Sequence, residues 1–384
     1  MNVFDSIRVI ELGRVFSGPL CSMLLADIGA EVIKIERPGS GDESRQFGIH
    51  SAGGQSCYFN SLNRNKKSVT LDLKDPEQKA VLLKLVEKSD VLVHNWLQDS
   101  LDKLGFSYEE VKKINPRLIY CAISGYGYNS SYRNHPSQDI IAQSLSGFMS
   151  LTGEADGTPM KTGIPVVDYA TGLYAAYSIM AALYMREKTG EGQLVHTSLL
   201  ETALAMTSFN SSLYLSTGIV QKRNGNRHPS ICPYNVYRTK DGMVTIAVAN
   251  QGMWERFCDS MGLSSIKNNY AFKTNKLRLE NQDELELTLE AVIKDYSTDE
   301  ITEILKNAKV SCTRVNNIDD AFKCPEVKEL DMTFTCIKNG GVSMVGKPFH
   351  LEKVIDKEVA PPPSLGQHNR EIIKALYDIN GGYI

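Results

Sequence analysis

Hydrophobic positions near the start of the chain change period twice within thirty residues. Arg8 to Leu12 is a short apolar run, Gly13 to Pro19 is a turn with two glycines, and Leu20, Met23, Leu24 and Ile28 recur at helical spacing. Gly29 stands where a C-cap glycine ends a helix, and Val32, Ile33 and Ile35 resume a strand. The pattern predicts strand, turn, helix and strand, which is half of a nucleotide-type fold. A phosphate-bearing ligand would sit where the first strand feeds the helix N-terminus. Further strands are predicted at Ser68–Leu73, Val91–His94 and Leu118–Ser124, alternating with helical segments, so the sheet should be parallel and doubly wound. Asp75 and Pro76 form an N-cap and first-turn pair for a helix through Lys88, with Ala80, Leu83 and Val86 facing the sheet. A shorter helix, Glu109 to Ile114, closes at Asn115 and Pro116.

Farther along, DYATGLYAAYSIMAALYMR from Asp168 to Arg186 is almost free of charge after its first residue and predicts a buried helix. A second is predicted from Ser198 to Leu215. The segment Gln221–Pro233, QKRNGNRHPSICP, is polar and rich in breakers and reads as a linker. A strand pair around Tyr234–Val248 follows, turning at Asp241 and Gly242, and then amphipathic helices at Met253–Met261, Asn281–Lys294 and Thr298–Asn307. That block reads as a small α+β domain, residues 221–325, between a large domain at 1–220 and a return segment at 326–384. The return segment carries a hairpin from Thr335 to Val345, turning at Asn339, Gly340 and Gly341, and a last helix.

Composition narrows the class. With 42% hydrophobic and 23% charged residues, and no apolar run approaching the roughly 20 residues of a bilayer span, a membrane role is not expected. A net charge of −3 gives no basic footprint for nucleic acid. The N-terminal MNVFDSIRVI enters the first strand directly and leaves no room for a signal peptide, so a cytoplasmic location is expected. The eight cysteines form no C-x-x-C pair and no zinc-like group with histidine, so reduced thiols and no metal site are expected. Small-molecule chemistry is favoured by elimination.

A dinucleotide site would need G-x-G-x-x-G at the first turn, and only Gly13 and Gly18 are there; this disfavours a nucleotide-binding oxidoreductase. Glu36 stands where such folds place a ribose-binding acid, but Arg37 and PGSG follow at once. The stretch VFSGPLCSMLLADIGAEVIKIERPGSGD closely resembles the opening of the type III CoA-transferases, the CaiB/BaiF group. The resemblance spans nearly the whole chain. It implies an α/β fold with a Rossmann-like large domain made of both chain ends, a small α+β domain, and an interlocked homodimer. It also implies acyl-CoA and small carboxylic acids as partners, with coenzyme A as substrate and product and no permanently bound cofactor.

Candidate catalytic residues follow from two segments. Asp168 in KTGIPVVDYATG is placed after an apolar run at the start of a helix, where the dipole and free amides favour its charged form. Locally it reads either as a plain N-cap or as a carboxylate nucleophile able to attack a thioester. PVVDYATGLYAA resembles the family motif at its catalytic aspartate, which implies an aspartyl anhydride and an aspartyl-CoA thioester. The α-methylacyl-CoA racemases share the fold, but racemisation needs two bases, and that branch carries G-H-D after the GYG turn. Here the place reads HPSQDIIAQSLSG, with Gln138 before Asp139 and His135 three residues early. Asp139 is an acid that either assists at the thioester or caps a helix.

The resemblance also implies CoA contacts. Arg37 in ERPGSGD suits a phosphate, and SLNRNKKSVTLDL supplies Leu62, Asn63, Arg64, Asn65 and Lys66. HNWLQDSLDKLG supplies Asn95, Trp96 and Lys103, the last a lysine where relatives often have arginine. Phe16, Ser17 and Gln138 fall near the thioester end. His228, Asn250 and Gln251 are substrate-side candidates, with AVANQGMW in place of a catalytic glycine loop. By the same resemblance, the formyl-CoA transferases carry a glutamine at the Phe16–Ser17 turn and a run of glycines at that loop; both are absent here, which disfavours an oxalate or formyl substrate. The segment MKTGIPVVDYATGLYA is similar to relatives that move CoA between dicarboxylates, which implies succinate or its hydroxylated or methylated kin as the acid. A CoA-binding protein without catalysis is the alternative from another class.

Overall fold

The computed structural model describes residues 2–51, 54–336, 341–354 and 358–377. The chain divides into two compact units, one of Met1–Met149, Lys161–Ile219 and Asp331–Ile384, the other of Ser150–Met160 and Val220–Leu330. Ser150–Met160 thus joins the second unit, although the sequence reading left it in the large domain.

In the first unit β1 (Arg8–Glu11), β2 (Glu31–Glu36), β3 (Lys66–Thr70), β4 (Val91–His94), β5 (Ile119–Ser124) and β6 (Leu194–Ser198) form a parallel sheet in the order β3-β2-β1-β4-β5-β6. Both faces are covered, so alternate residues of one strand enter different cores. Val9 packs with Leu25, Ala176 and Ile179, and its neighbour Ile10 packs with Leu82, Leu85 and Phe106.

The Pro76–Glu87 helix is capped by Asp75, whose carboxylate accepts from the Glu77 and Gln78 amides. Its buried face is Val81, Leu82, Leu85 and Val86, while Ala80 is exposed; the face is rotated from the expected one. β3 begins two residues early because Lys66 is buried by ion pairs, which hydropathy does not register. β6 went unpredicted as a half-exposed edge strand carrying His196. The Ser17–Ala26 helix ends before Gly29, whose φ of 109° lets the chain double back so that Ala30 N donates to Leu25 O at 3.1 Å.

The charge-poor helix spans Val166–Thr189 and is buried on one side only. Tyr177 and Tyr184 on its other side are 68% and 65% exposed. Contrary to the expectation from sequence, this 24-residue helix is long and apolar enough by composition to cross a bilayer. The predicted Ser198–Leu215 helix is two, Leu199–Met206 and Ser208–Thr217, broken where Ser208 takes a φ of 43°.

The second unit contains an antiparallel sheet of β7 (Tyr234–Arg238), β8 (Met243–Ala247) and β9 (Ser311–Arg314), with helices around a core that includes Trp254, Phe257, Leu285 and Leu289. β9, SCTR, is too polar and short to announce itself by pattern. The hairpin pairs β10 (Thr333–Cys336) with β11 (Val342–Val345) in the first unit; its expected turn residues Asn339 and Gly340 lie outside the described residues.

Candidate active site

The sheet order reverses between β1 and β4, and in open parallel sheets ligands bind outside the carboxyl ends at that point. The Asn95 side chain clamps Arg14 there, accepting from its amide and donating to its carbonyl, both at 2.8 Å. Trp96 Nε1 donates to Leu12 O at 2.6 Å. A Cβ on Gly13 would stand 3.0 Å from Gly18 Cα, so these two glycines let the turn fold onto itself rather than onto a pyrophosphate.

Ser17 opens the next helix, and its Oγ donates to Asp168 Oδ1 at 2.7 Å. The two helices approach closely because Gly172, one turn beyond Asp168, leaves room: a Cβ there would lie 3.0 Å from Ser17 O and 2.9 Å from Leu20 Cδ2. Asp168 occupies the third helical position, behind the capping residue Pro165, so the N-cap reading does not describe it. Nor is its charge favoured as expected. Burial pushes the Asp168 carboxyl up to about 6; the Ser17 hydrogen bond opposes this and the Asp139 charge adds to it. Around it stand the rings of Phe16, 6.0 Å from Tyr58 and 6.3 Å from Tyr169. The Tyr58 phenol is pushed up to about 12 by burial and by the Asp168, Asp42 and Asp139 carboxylates, so it remains a hydrogen-bond donor at neutral pH.

Asp139 supplies the missing cap. Its Oδ1 accepts from the amides of Val167 at 2.8 Å and Asp168 at 3.1 Å, from a different helix, Asp139–Leu145. The other carboxylate oxygen accepts from Gln143 Nε2, which also donates to Thr162 Oγ1 at 3.1 Å, and Gln143 Oε1 accepts from Thr162 N at 3.1 Å. The free amides that sequence reasoning awarded to Asp168 are therefore taken by Asp139, across elements, as pattern alone does not reveal. Gln138 caps the Asp139 helix by backbone position only and is exposed. His135 is exposed as well, its ring 5.4 Å from that of Tyr132.

A cleft of about 600 Å³ opens at the ends of β1 to β4, lined among others by Arg14, Arg37, Ser40, Leu71, Lys74 and Trp96. The Arg14 guanidinium lies over the Trp96 ring at 5.1 Å. Lys103 is exposed on the helix that ends beside the cleft residue Leu104. The Leu62–Lys66 run lies elsewhere and its polar atoms are committed within the protein. Arg64 pairs with Asp27 and donates to Val345 O at 3.1 Å. Asn65 holds Asp27 and the Ala360 backbone, Lys66 holds Glu11 at 2.9 Å, Pro19 O and Asn63, and Leu62 packs with Leu20 and Met23. Arg14, Arg37 and Lys74 are exposed cations of the cleft wall, and Arg14 is paired there with Glu43 at 2.8 Å. Lys74 was missed because the predicted strand ran on to Leu73; ending it at Thr70 puts Leu71–Lys74 on the ligand side.

His228, Asn250 and Gln251 belong to the second unit. His228 Nδ1 accepts from Ser230 N at 3.0 Å, and its ring packs on Tyr234. Asn250 caps the Gln251–Ser260 helix through Met253 N, and Gln251 Oε1 accepts from Arg278.

The fold and the site together define an enzyme that transfers CoA between an acyl-CoA and a carboxylate. The chain belongs to CoA-transferase family III, whose model matches residues 4–369. It is 36% identical to the succinate–glutarate CoA-transferase of Agrobacterium fabrum, over 98% of this chain and 96% of that one. It is 36% identical to the human succinyl-CoA:glutarate CoA-transferase, over 97% of this chain and 85% of that one. An acetyl-CoA:oxalate CoA-transferase of Acetobacter aceti is 35% identical over 97% and 95%. Among solved structures, a CaiB/BaiF family protein of Brucella suis superposes with a TM-score of 0.90 at 34% identity, covering 98% of this chain and all of that one.

Proposed function

We propose that the protein moves CoA from succinyl-CoA to a second dicarboxylic acid, glutarate first, through covalent intermediates on Asp168. The observation that carries this reading is the Asp168 carboxylate, oriented by Ser17, with burial favouring its consumption as a nucleophile. The carboxylate attacks the thioester carbon, the C–S bond breaks, and CoA leaves as thiolate with an aspartyl anhydride behind it. The thiolate then attacks the aspartyl carbonyl, releasing the donor acid and leaving an aspartyl-CoA thioester. The acceptor carboxylate attacks that thioester, the C–S bond breaks and CoA again leaves as thiolate, giving a second anhydride between Asp168 and the acceptor; the thiolate then attacks the acceptor acyl carbon, forming the new acyl-CoA and restoring the Asp168 carboxylate. Glutarate leads because two relatives at 36% identity carry it in their names; oxalate is the competing acceptor on the strength of the Acetobacter relative.

The test is incubation with succinyl-CoA and a panel of acids including glutarate and oxalate, following new acyl-CoA species by mass spectrometry, with hydroxylamine added to trap activated carboxyl. A hydroxamate at Asp168 and appearance of glutaryl-CoA are expected. Transfer without any modification of Asp168 overturns the covalent reading, and oxalyl-CoA alone overturns the acceptor.

In the same reading Arg37 and Lys74 meet CoA phosphates. Arg37→Ala and Lys74→Ala are each expected to raise KM for the CoA ester about tenfold with little change in kcat, the loss of one charge-assisted contact. Unchanged KM in both would remove the cleft from the proposal. The homodimer also belongs here. Leu24, Ile28, Leu173, Tyr174, Tyr177 and Met180 line an apolar groove of about 710 Å³ along the exposed side of the long helix, a surface suited to burial by a second copy. Light scattering after size exclusion is expected to give twice the 42.6 kDa chain mass, and a monomer would overturn it.

A further inference from the structure

Val15 lies between the strand that ends at Glu11 and the helix that starts at Ser17, and its φ is +64°. A β-branched residue rarely takes this left-handed conformation, because its side chain crowds the backbone there. The turn is tight: Phe16 N donates to Arg14 O at 3.0 Å, across Val15 alone. Two side chains hold it: Asn95 clamps Arg14 on one side, and the Asp42 carboxylate takes the amide of the strained residue itself. Val15 N donates to Asp42 at 3.1 Å (Oδ1) and 3.2 Å (Oδ2).

Asp42 is itself fixed. It is 2% exposed; Ser44 donates to Oδ1 from its amide at 2.9 Å and its hydroxyl at 2.7 Å, and Lys34 Nζ lies 2.9 Å from Oδ2. Lys34, fully buried, also reaches Glu11 at 2.7 Å and Gly13 O at 2.9 Å, so the ionic group ties the Asp42 turn to the start of the strained segment. Buried ion pairs of this kind contribute little stability relative to apolar packing, but a strained backbone persists only where its surroundings over-determine it.

We propose that Asp42 is a positioning residue for the transfer reaction, holding the strained turn at Val15 so that Ser17 meets Asp168. Its place is apt. Asp42 lines the cleft on the same turn as Arg37, and two residues beyond Val15 the Ser17 hydroxyl donates to Asp168. One carboxylate therefore joins the cleft wall to the orientation of the nucleophile. The proposal rests on the reading of Asp168 as that nucleophile.

Steady-state transfer kinetics on four variants test it: Asp42→Ala, Asp42→Asn, Asp42→Ala with Val15→Gly, and Asp168→Ala. Asp42→Ala is expected to lower kcat by about 10- to 100-fold, the cost of a misplaced catalytic group. Asp42→Asn, which keeps an acceptor for Val15 N, should lose less. Glycine takes positive φ without strain, so Val15→Gly in the Asp42→Ala background should recover about tenfold in kcat. A role for Asp42 confined to stabilising the ionic group would not respond to glycine at position 15. Should Asp42→Ala fail to fold, Asp42→Asn with and without Val15→Gly carries the same comparison. Folded variants with wild-type kcat, or a deficit that glycine leaves untouched, overturn the proposal. Transfer persisting in Asp168→Ala overturns the nucleophile reading instead.

Discussion

Asp168→Ala is expected to lower CoA transfer by at least about 1,000-fold, because in the proposed cycle its carboxylate carries the covalent intermediates. Asp168→Asn should be equally inactive yet more stable than the parent. The folded-state pKa of about 6 lies above the ordinary 3.8, so the folded protein binds this proton more tightly than the unfolded chain. Below pH 3.8 the group costs nothing. As pH rises from there through 6, ionising the carboxylate costs stability, about 3 kcal/mol once complete. An asparagine escapes that cost, and denaturant titration at pH 7.5 should show the gain. Activity runs the other way. In the proposed cycle the Asp168 carboxylate must be ionised to attack, so kcat/KM for the CoA ester should fall below a limb near pH 6 with unit slope. An Asp168→Asn protein that is destabilised, or a parent profile flat down to pH 4.5, would contradict the electrostatics given for this site.

Asp139→Ala is expected to damage both stability and rate. It strips the acceptor from the amides of Val167 and Asp168 and from Gln143, whose side chain is fully buried. The lost cap and orphaned donors together should cost about 3 kcal/mol, and the loosened first turn about 100-fold in kcat. Asp139→Asn separates the two roles. It keeps an acceptor for the helix amides but removes the charge that helps raise Asp168, so the acid limb should move to lower pH while much of the stability remains. A limb that stays in place in folded Asp139→Asn would show that the charge does not reach Asp168.

Much of this was legible in the chain itself. The strand–turn–helix–strand opening announced itself because β1, β2 and the first helix bury nearly every residue, and Val91–His94 appears as written because all four residues are buried. Family membership was legible for a related reason, since the opening motif and PVVDYATG are contiguous. What failed was whatever depends on partners distant in sequence. Arg64 and Lys66 look like phosphate-binding cations until Asp27 and Glu11 take them inside. The long helix reads as wholly buried because hydropathy cannot tell a face packed on a sheet from one left bare. Asp139, 29 residues before Asp168, caps its helix through a bond that no periodicity encodes. Tyr58 escaped because only the fold carries its ring from the short Cys57–Asn60 helix to Phe16.

The charges around Asp168 bear on the order in which the two substrates react. Among the described residues no cation pairs with Asp168; its partner is the neutral Ser17 hydroxyl, and the nearest charge that perturbs it is the Asp139 anion. In the proposed cycle a free carboxylic acid meets two anions on the resting enzyme, whereas once Asp168 has become a thioester of CoA one of those charges is gone. The succinyl-CoA donor also carries a carboxylate, at the far end of its acyl chain from the reacting carbon, so charge assists an order that the chemistry of the cycle imposes, the thioester before the acid. Initial-rate plots at varied acid concentration should run parallel, and intersecting lines would place both substrates on the enzyme together.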